Sequence, residues 1–221
     1  MMNIRTRLNA RTLLTLIVLS SMAFSMVATA EFRQVMIPMR DGVKLAANVS
    51  LPDGDGPWPV VLTRTPYNKD GRRPSTDENA PREQGKNFLD KGIAYVVQDC
   101  RGRFASEGEY QAFIDDMDDG FDTVEWIATQ EWCDGKVGMV GASATGITTN
   151  LAAMANPPHL VAGYVTVAHG SSYRNSTHPG GVYLYNLREE WLKAQGVELP
   201  EVPRPISHVY TDEDRKRDMR E

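Results

Sequence analysis

A short apolar stretch, Val137-Gly138-Met139-Val140, runs into Gly141-Ala142-Ser143-Ala144-Thr145-Gly146 and then into a helical pattern. A serine held in a tight strand-to-helix turn among small residues has the setting of a nucleophile elbow. The strained turn lifts the hydroxyl above the sheet and aims it at the amino terminus of the next helix, where negative charge is stabilised. The chemistry such a residue performs is attack of Ser143 on a carbonyl carbon with formation of an acyl-enzyme. The strict G-x-S-x-G spacing is not met, because Thr145 precedes the closing Gly146. Taken alone, the six residues favour a plainer role, a serine capping the helix that starts at Ala144. The strand-turn-helix context, after two earlier β/α units, tips the reading toward the elbow.

A second candidate group is Arg64-Thr65-Pro66-Tyr67-Asn68-Lys69. It follows a short, continuous apolar strand at residues 60–63, at the carboxyl edge where open α/β sheets bind ligands. A tyrosine there is able to donate its hydroxyl to a developing oxyanion. The residues themselves favour a Tyr67 that packs or anchors its loop.

The elements that must position these groups are legible in outline. Residues 32–39 and 43–51 are extended and separated by Arg40-Asp41-Gly42, which predicts an antiparallel hairpin. From residue 60 the pattern alternates: strand 60–63, helix 81–91 closed by Gly92, strand 93–98, helix 118–129, strand 136–140, helix 144–155 and strand 161–168. In the helix over 118–129, Phe121, Val124, Ile127 and Ala128 share one face. Strands alternating with helices predict a parallel, doubly wound sheet behind the antiparallel start. Beyond His169 the alternation stops, and residues 171–200 are rich in aromatics, glycine and charge, with one helical stretch near residues 187–194.

The first thirty residues read as an export signal. Arg5, Arg7 and Arg11 form a basic region, residues 13–24 are mostly apolar, and Ala28-Thr29-Ala30 is a cleavage signature. The apolar run is shorter than the roughly 20 residues of a spanning helix, so the expectation is cleavage after Ala30, no lasting membrane anchor, and a periplasmic or secreted product. Without those three arginines, the chain's 24 basic residues fall to 21 against 29 acidic ones, a formal charge of −8. That balance argues against a nucleic-acid partner, since phosphate binding needs clustered Lys and Arg. The one dense charge run, residues 212–221, mixes both signs and reads as a solvated helix. Cys100 follows one predicted strand and Cys133 precedes another, which places them at opposite edges of a parallel sheet. A strand of about five residues spans roughly 17 Å, against the ~6 Å Cα separation of a disulfide, so two free thiols are expected.

The chain resembles the cocaine esterase and X-prolyl dipeptidyl peptidase group of serine hydrolases, which also contains glutaryl-cephalosporin acylases and α-amino-acid ester hydrolases. The blocks that carry the resemblance run in order from Val35 to about Gly181. They are Met36-Ile37-Pro38-Met39-Arg40-Asp41-Gly42-Val43-Lys44-Leu45, Thr63-Arg64-Thr65-Pro66-Tyr67, Gln98-Asp99-Cys100-Arg101-Gly102-Arg103 with Ser106-Glu107-Gly108-Glu109, Asp122-Thr123-Val124-Glu125-Trp126-Ile127, Trp132-Cys133-Asp134-Gly135-Lys136-Val137-Gly138, and the elbow.

The resemblance implies an α/β-hydrolase fold, here incomplete, with antiparallel amino-terminal strands, a mostly parallel sheet and the start of a helical cap. It divides the chain into a signal at 1–30, a core at 31–170 and a truncated cap at 171–221. It makes Ser143 the nucleophile, the Ala144 backbone N–H one oxyanion donor in place of the family's usual tyrosine position, and the Tyr67 hydroxyl the other. It implies no cofactor and no metal, and a small-molecule ester, amide or X-Pro peptide substrate. Asp99 and Arg101 match a D-x-R-G block and read as an ionised pair bracing the loop after their strand. The family's acid and histidine follow on later loops, so the expectation is a fragment without them, none of His159, His169, His178 and His208 being suitably placed; His169 reads as a pocket-wall or satisfied polar residue. The alternative is a non-catalytic remnant that binds acyl ligands or a partner chain.

Overall fold

The computed structural model describes residues 31–70, 83–178, 181 and 184–198. The expected signal at 1–30 and the charge run at 212–221 lie outside the described residues.

The two amino-terminal strands, β1 (Glu31–Pro38) and β2 (Lys44–Leu51), pair antiparallel from Glu31↔Leu51 to Pro38↔Lys44. Their turn closes because Gly42 takes φ +89°, a conformation that residues with a Cβ rarely adopt, while Gly42 N–H donates to the Met39 carbonyl at 2.9 Å. The remaining strands are β3 (Trp58–Thr65), β4 (Ala94–Asp99), β5 (Cys133–Ala142) and β6 (Leu160–Thr166). The six-stranded sheet has the order β1-β2-β4-β3-β5-β6, with β2–β4 antiparallel and the β4–β3, β3–β5 and β5–β6 pairs parallel. The hairpin followed by a parallel array is the arrangement that the hydrophobic pattern predicts.

Among the described residues three helices cover the sheet: α1 (Glu83–Leu89), α2 (Asp116–Ala128) and α3 (Ala144–Met154). The chain steps from β3 to β4 in one direction and from β4 back across β3 to β5 in the other. Right-handed crossovers therefore set α1 and α2 on opposite faces. In agreement, α1 packs on β2 and β4, whereas α2 and α3 pack on each other and on β3 and β5. The α2–α3 contact is close enough to require Gly120, where a Cβ would lie 2.5 Å from the Ala152 Cβ. The core holds Ile37, Leu45, Val49, Leu62, Val96, Val124, Ile127, Val137 and Met139. Of the helical face expected at 118–129, Val124 and Ile127 are buried, while Phe121 and Ala128 are only partly covered.

The two central strands, β3 and β5, are longer than their hydrophobic signatures, whereas other elements are not. The strand expected at 136–140 begins at Cys133, because Trp58 pairs with Cys133 and donates its N–H to the Trp132 carbonyl at 2.9 Å. The expected strand 161–168 ends at Thr166, and Val167 turns away with φ +50°. A π-helical turn at Ser172–Thr177, which the sequence reading missed, precedes α4 (Tyr185–Ala194).

Cys100 and Cys133 are both free and buried. Burial pushes the Cys100 thiol well up and the Cys133 thiol up as well. Since the thiolate is the reactive form, neither cysteine is expected to react with iodoacetamide in the native protein, whereas both are modified after unfolding in denaturant. Intact-mass spectrometry checks this, and one native adduct would contradict it.

Candidate active site

The switch in strand order lies between β3 and β5, the place where open α/β sheets form a crevice at their carboxyl ends. Thr63 Oγ1 donates to the Val140 carbonyl at 3.1 Å near those ends, so the two neighbouring strands finish at the same level. Ser143 follows β5 directly and Tyr67 follows β3 by two residues. The sheet thus brings the two sequence candidates to adjacent strand ends.

Ser143 is exposed and adopts φ +54°, ψ −124°. A serine that caps a helix has extended dihedrals and accepts a bond from an amide of the first turn. Ser143 does neither, for its side chain makes no cap hydrogen bond. Such a conformation costs about 1–3 kcal/mol and persists only where the surroundings over-determine it. Those surroundings are visible. Ser143 N–H donates to the Thr166 carbonyl at 3.1 Å, and the Ser143 carbonyl accepts from Ile147 N–H at 3.0 Å. A Cβ at Gly141 would stand 2.2 Å from the Thr145 carbonyl oxygen, and one at Gly146 would stand 2.7 Å from the Ala168 Cβ. The departure from G-x-S-x-G has a physical reason here. The Thr145 hydroxyl accepts from Ala142 N–H and donates to the Ala142 carbonyl, both at 2.8 Å, and so braces the turn from its own position. Ala144 opens α3 and is buried, and its N–H belongs to the first turn, whose amides lack carbonyl partners within the helix.

The Tyr67 loop is held from several sides. Tyr67 N–H donates to Thr65 Oγ1 at 3.0 Å, Asp70 N–H to Asn68 Oδ1 at 2.9 Å, and Lys69 N–H to Asp99 Oδ1 at 2.6 Å. Burial holds the Asp99 carboxyl above its usual range. Arg64, just before the loop, is fully buried. Its Nε donates to Gln98 Oε1 at 2.8 Å, its Nη1 meets the Asp116 carboxylate at 2.9 Å, and its carbonyl accepts from Thr148 Oγ1 of α3 at 3.1 Å.

The expected Asp99–Arg101 ion pair is replaced by two separate braces. Asp99 faces Lys69 and Ala105 N–H, while Arg101 reaches Asp119 at 2.6 Å and Asp41 at 2.7 Å. Both still fasten the loop after β4. Of the histidines, His159 Nδ1 lies 2.8 Å from Glu125 Oε2, His178 Nδ1 lies 2.9 Å from Thr177 Oγ1, and the His169 carbonyl accepts from Asn150 at 3.4 Å. His208 lies outside the described residues. Among the described residues no hydrogen bond joins a histidine to Ser143. The sequence reading missed the partner of Tyr67: its hydroxyl accepts from the Trp191 indole N–H of α4 at 3.2 Å.

A sheet of this order with a strained serine turn after β5 defines the α/β-hydrolase fold. The model of the X-Pro dipeptidyl-peptidase (S15) family matches residues 41–221, and the chain belongs to that family. It is 46% identical over 169 residues to the cocaine esterase of Rhodococcus sp. strain MB1 Bresler, a match covering 75% of this chain and 28% of that enzyme. A selenomethionine-labelled α-amino acid ester hydrolase superimposes with a TM-score of 0.61 at 32% identity, over 67% of this chain and 27% of that one. A CocE/NonD family hydrolase from Staphylococcus aureus gives 0.63 at 25% identity, over 84% and 37%. The match therefore spans 27% to 37% of the length of these relatives.

Proposed function

We propose that this chain carries the nucleophile and oxyanion donors of an exported serine hydrolase acting on ester or amide bonds. Ser143 Oγ attacks the substrate carbonyl carbon, the Ala144 N–H and the Tyr67 hydroxyl hold the oxyanion, and the leaving group departs to give an acyl-Ser143. The observation that carries the reading is the Ser143 backbone, which holds a non-glycine residue at φ +54° without using its side chain as a cap. Strain of this kind concentrates at functional sites. Family membership and the similarity to two named ester hydrolases support the ester and amide class. In this reading the base that takes the serine proton is not among the described residues, and the substrate is a small ester, amide or peptide.

The test supplies the base from outside. The chain is incubated with p-nitrophenyl acetate in imidazole buffer, and the acetylated peptide is identified by mass spectrometry. Acetylation is expected to reach one group per chain on Ser143, at a rate rising with imidazole, and to vanish from that peptide in Ser143→Ala. Acetyl groups scattered over lysines and tyrosines, with none on Ser143, would count against the site.

A further inference from the structure

The Tyr67 hydroxyl is an odd place to find an unaided donor, because the residue is 43% exposed and an exposed phenol swings in water. Among the described residues its one hydrogen-bond partner is Trp191 Nε1 at 3.2 Å. An indole N–H only donates, so Tyr67 Oη must accept, and the phenolic proton is left free for another acceptor. The contact therefore fixes the oxygen without consuming the proton that an oxyanion would need.

Trp191 is in turn fixed. Its ring stacks on Phe113, with centroids 5.5 Å apart and planes 14° from parallel. One helical turn later, Gln195 meets Arg103: Nη1 donates to its carbonyl and Nη2 to its Oε1 at 3.2 Å. The same guanidinium donates through Nε to the carbonyl of Pro66, the neighbour of Tyr67, at 3.0 Å. The plane of Arg103 rests near the Tyr110 ring, its Cζ 4.7 Å from the centroid. One side chain thus grips both the loop that carries Tyr67 and the helix that carries Trp191.

We propose that Trp191 and Arg103 are positioning residues: Arg103 clamps α4 to the Tyr67 loop, and Trp191 holds the Tyr67 hydroxyl with its proton available to the oxyanion. The proposal rests on the reading of Tyr67 as an oxyanion donor. A planar fork is needed to reach two partners at once, so lysine is a poor substitute at 103.

Two readouts test it on the full 221-residue chain. The first does not depend on chemistry at Ser143. The chain has four tryptophans, and the ¹⁵N-labelled indole signal of Trp191 is identified by its loss in Trp191→Phe. Tyr67→Phe and Arg103→Met are each expected to shift that signal and to speed its hydrogen exchange, and Arg103→Lys fails to restore it. The second readout is imidazole-assisted acetylation of Ser143. Trp191→Phe, which keeps a ring on Phe113, and Arg103→Met are expected to lower the maximal rate about tenfold, the effect of losing one ordinary hydrogen bond. The half-saturating ester concentration stays unchanged, whereas a general loosening of the pocket would raise it. Wild-type rates in both variants would overturn the proposal and leave the Ser143 reading intact. Absence of acetylation in the unmodified chain would defeat the Ser143 reading. The indole signal then decides alone, and a Trp191 resonance indifferent to Tyr67→Phe and Arg103→Met would overturn the clamp.

Discussion

Arg64→Met is expected to lower the unfolding free energy by about 3–5 kcal/mol, the cost of breaking a buried charge pair from one side. The arginine has no exposed surface, and its partners are almost as deep: Asp116 is 5% exposed and Asp119 1%. Its guanidinium donates to Gln98 and to the Asp116 carbonyl, and it pairs with both carboxylates, at 2.9 Å to Asp116 and 3.6 Å to Asp119. Methionine fills the volume but removes the charge. Asp119 keeps Arg101, whereas Asp116 loses its principal cation. Burial already raises the Asp116 carboxyl above the ordinary range in spite of Arg64, and removing the arginine raises it further. A carboxyl whose folded pKa exceeds its unfolded value contributes stability that is complete below the unfolded value and is lost as pH rises through the folded one. The deficit of the variant should therefore be largest at neutral pH and shrink toward pH ~4, near the unfolded carboxyl value. Urea titrations at several pH values measure both. The exposed pair of Arg40 with Asp118, at 50% and 67% side-chain exposure, is the control. Breaking it should cost less than about 1 kcal/mol, and an equal cost at the two sites would refute the argument.

The contrast between these ion pairs also shows what the amino-acid sequence reveals and what it hides. Residues whose role depends on near neighbours were readable. The hairpin follows from Asp41-Gly42 between two extended runs, the parallel strands from continuous apolar stretches, and the elbow from glycines on both sides of Ser143. Even Thr145, which breaks the usual spacing, acts through a residue three positions away, Ala142. Features built across long separations left no such mark. The Trp191–Tyr67 bond joins residues 124 positions apart, and Arg103 meets Gln195 across 92. Neither contact has a period, a cap or a turn signature. Asp99 and Arg101 show the intermediate case. Their loop-bracing role was legible, but they read as one ionised pair. The buried Asp119 took Arg101 as its partner, and the loop amides satisfied the fully buried Asp99.

The 221-residue chain without added base is expected to hydrolyse p-nitrophenyl esters no faster than its Ser143→Ala variant within about a factor of ten, despite a well-formed elbow. A neutral serine hydroxyl is a weak nucleophile and needs a base within hydrogen-bond reach. Among the described residues the Ser143 hydroxyl has no such partner. His159 sits where β6 begins, its carbonyl accepting from Val137 N–H at 3.0 Å, and its ring is engaged by Glu125. From Val137 to Ser143 the chain runs most of a strand, roughly 20 Å at the usual rise per residue, so this imidazole stands at the wrong edge. His178 stacks on Tyr173 with centroids 4.4 Å apart and holds Thr177. His169 is the one described histidine that follows a strand ending beside the elbow, since Thr166 accepts the Ser143 N–H. Loss of the base in related chemistry costs on the order of 10⁴ to 10⁶ in rate and leaves only what binding and oxyanion donors supply. Burst and steady-state release of p-nitrophenol give the measurement. Turnover that is fast and depends on Ser143 would place a base within this chain, and His169→Ala would then be the variant that abolishes it.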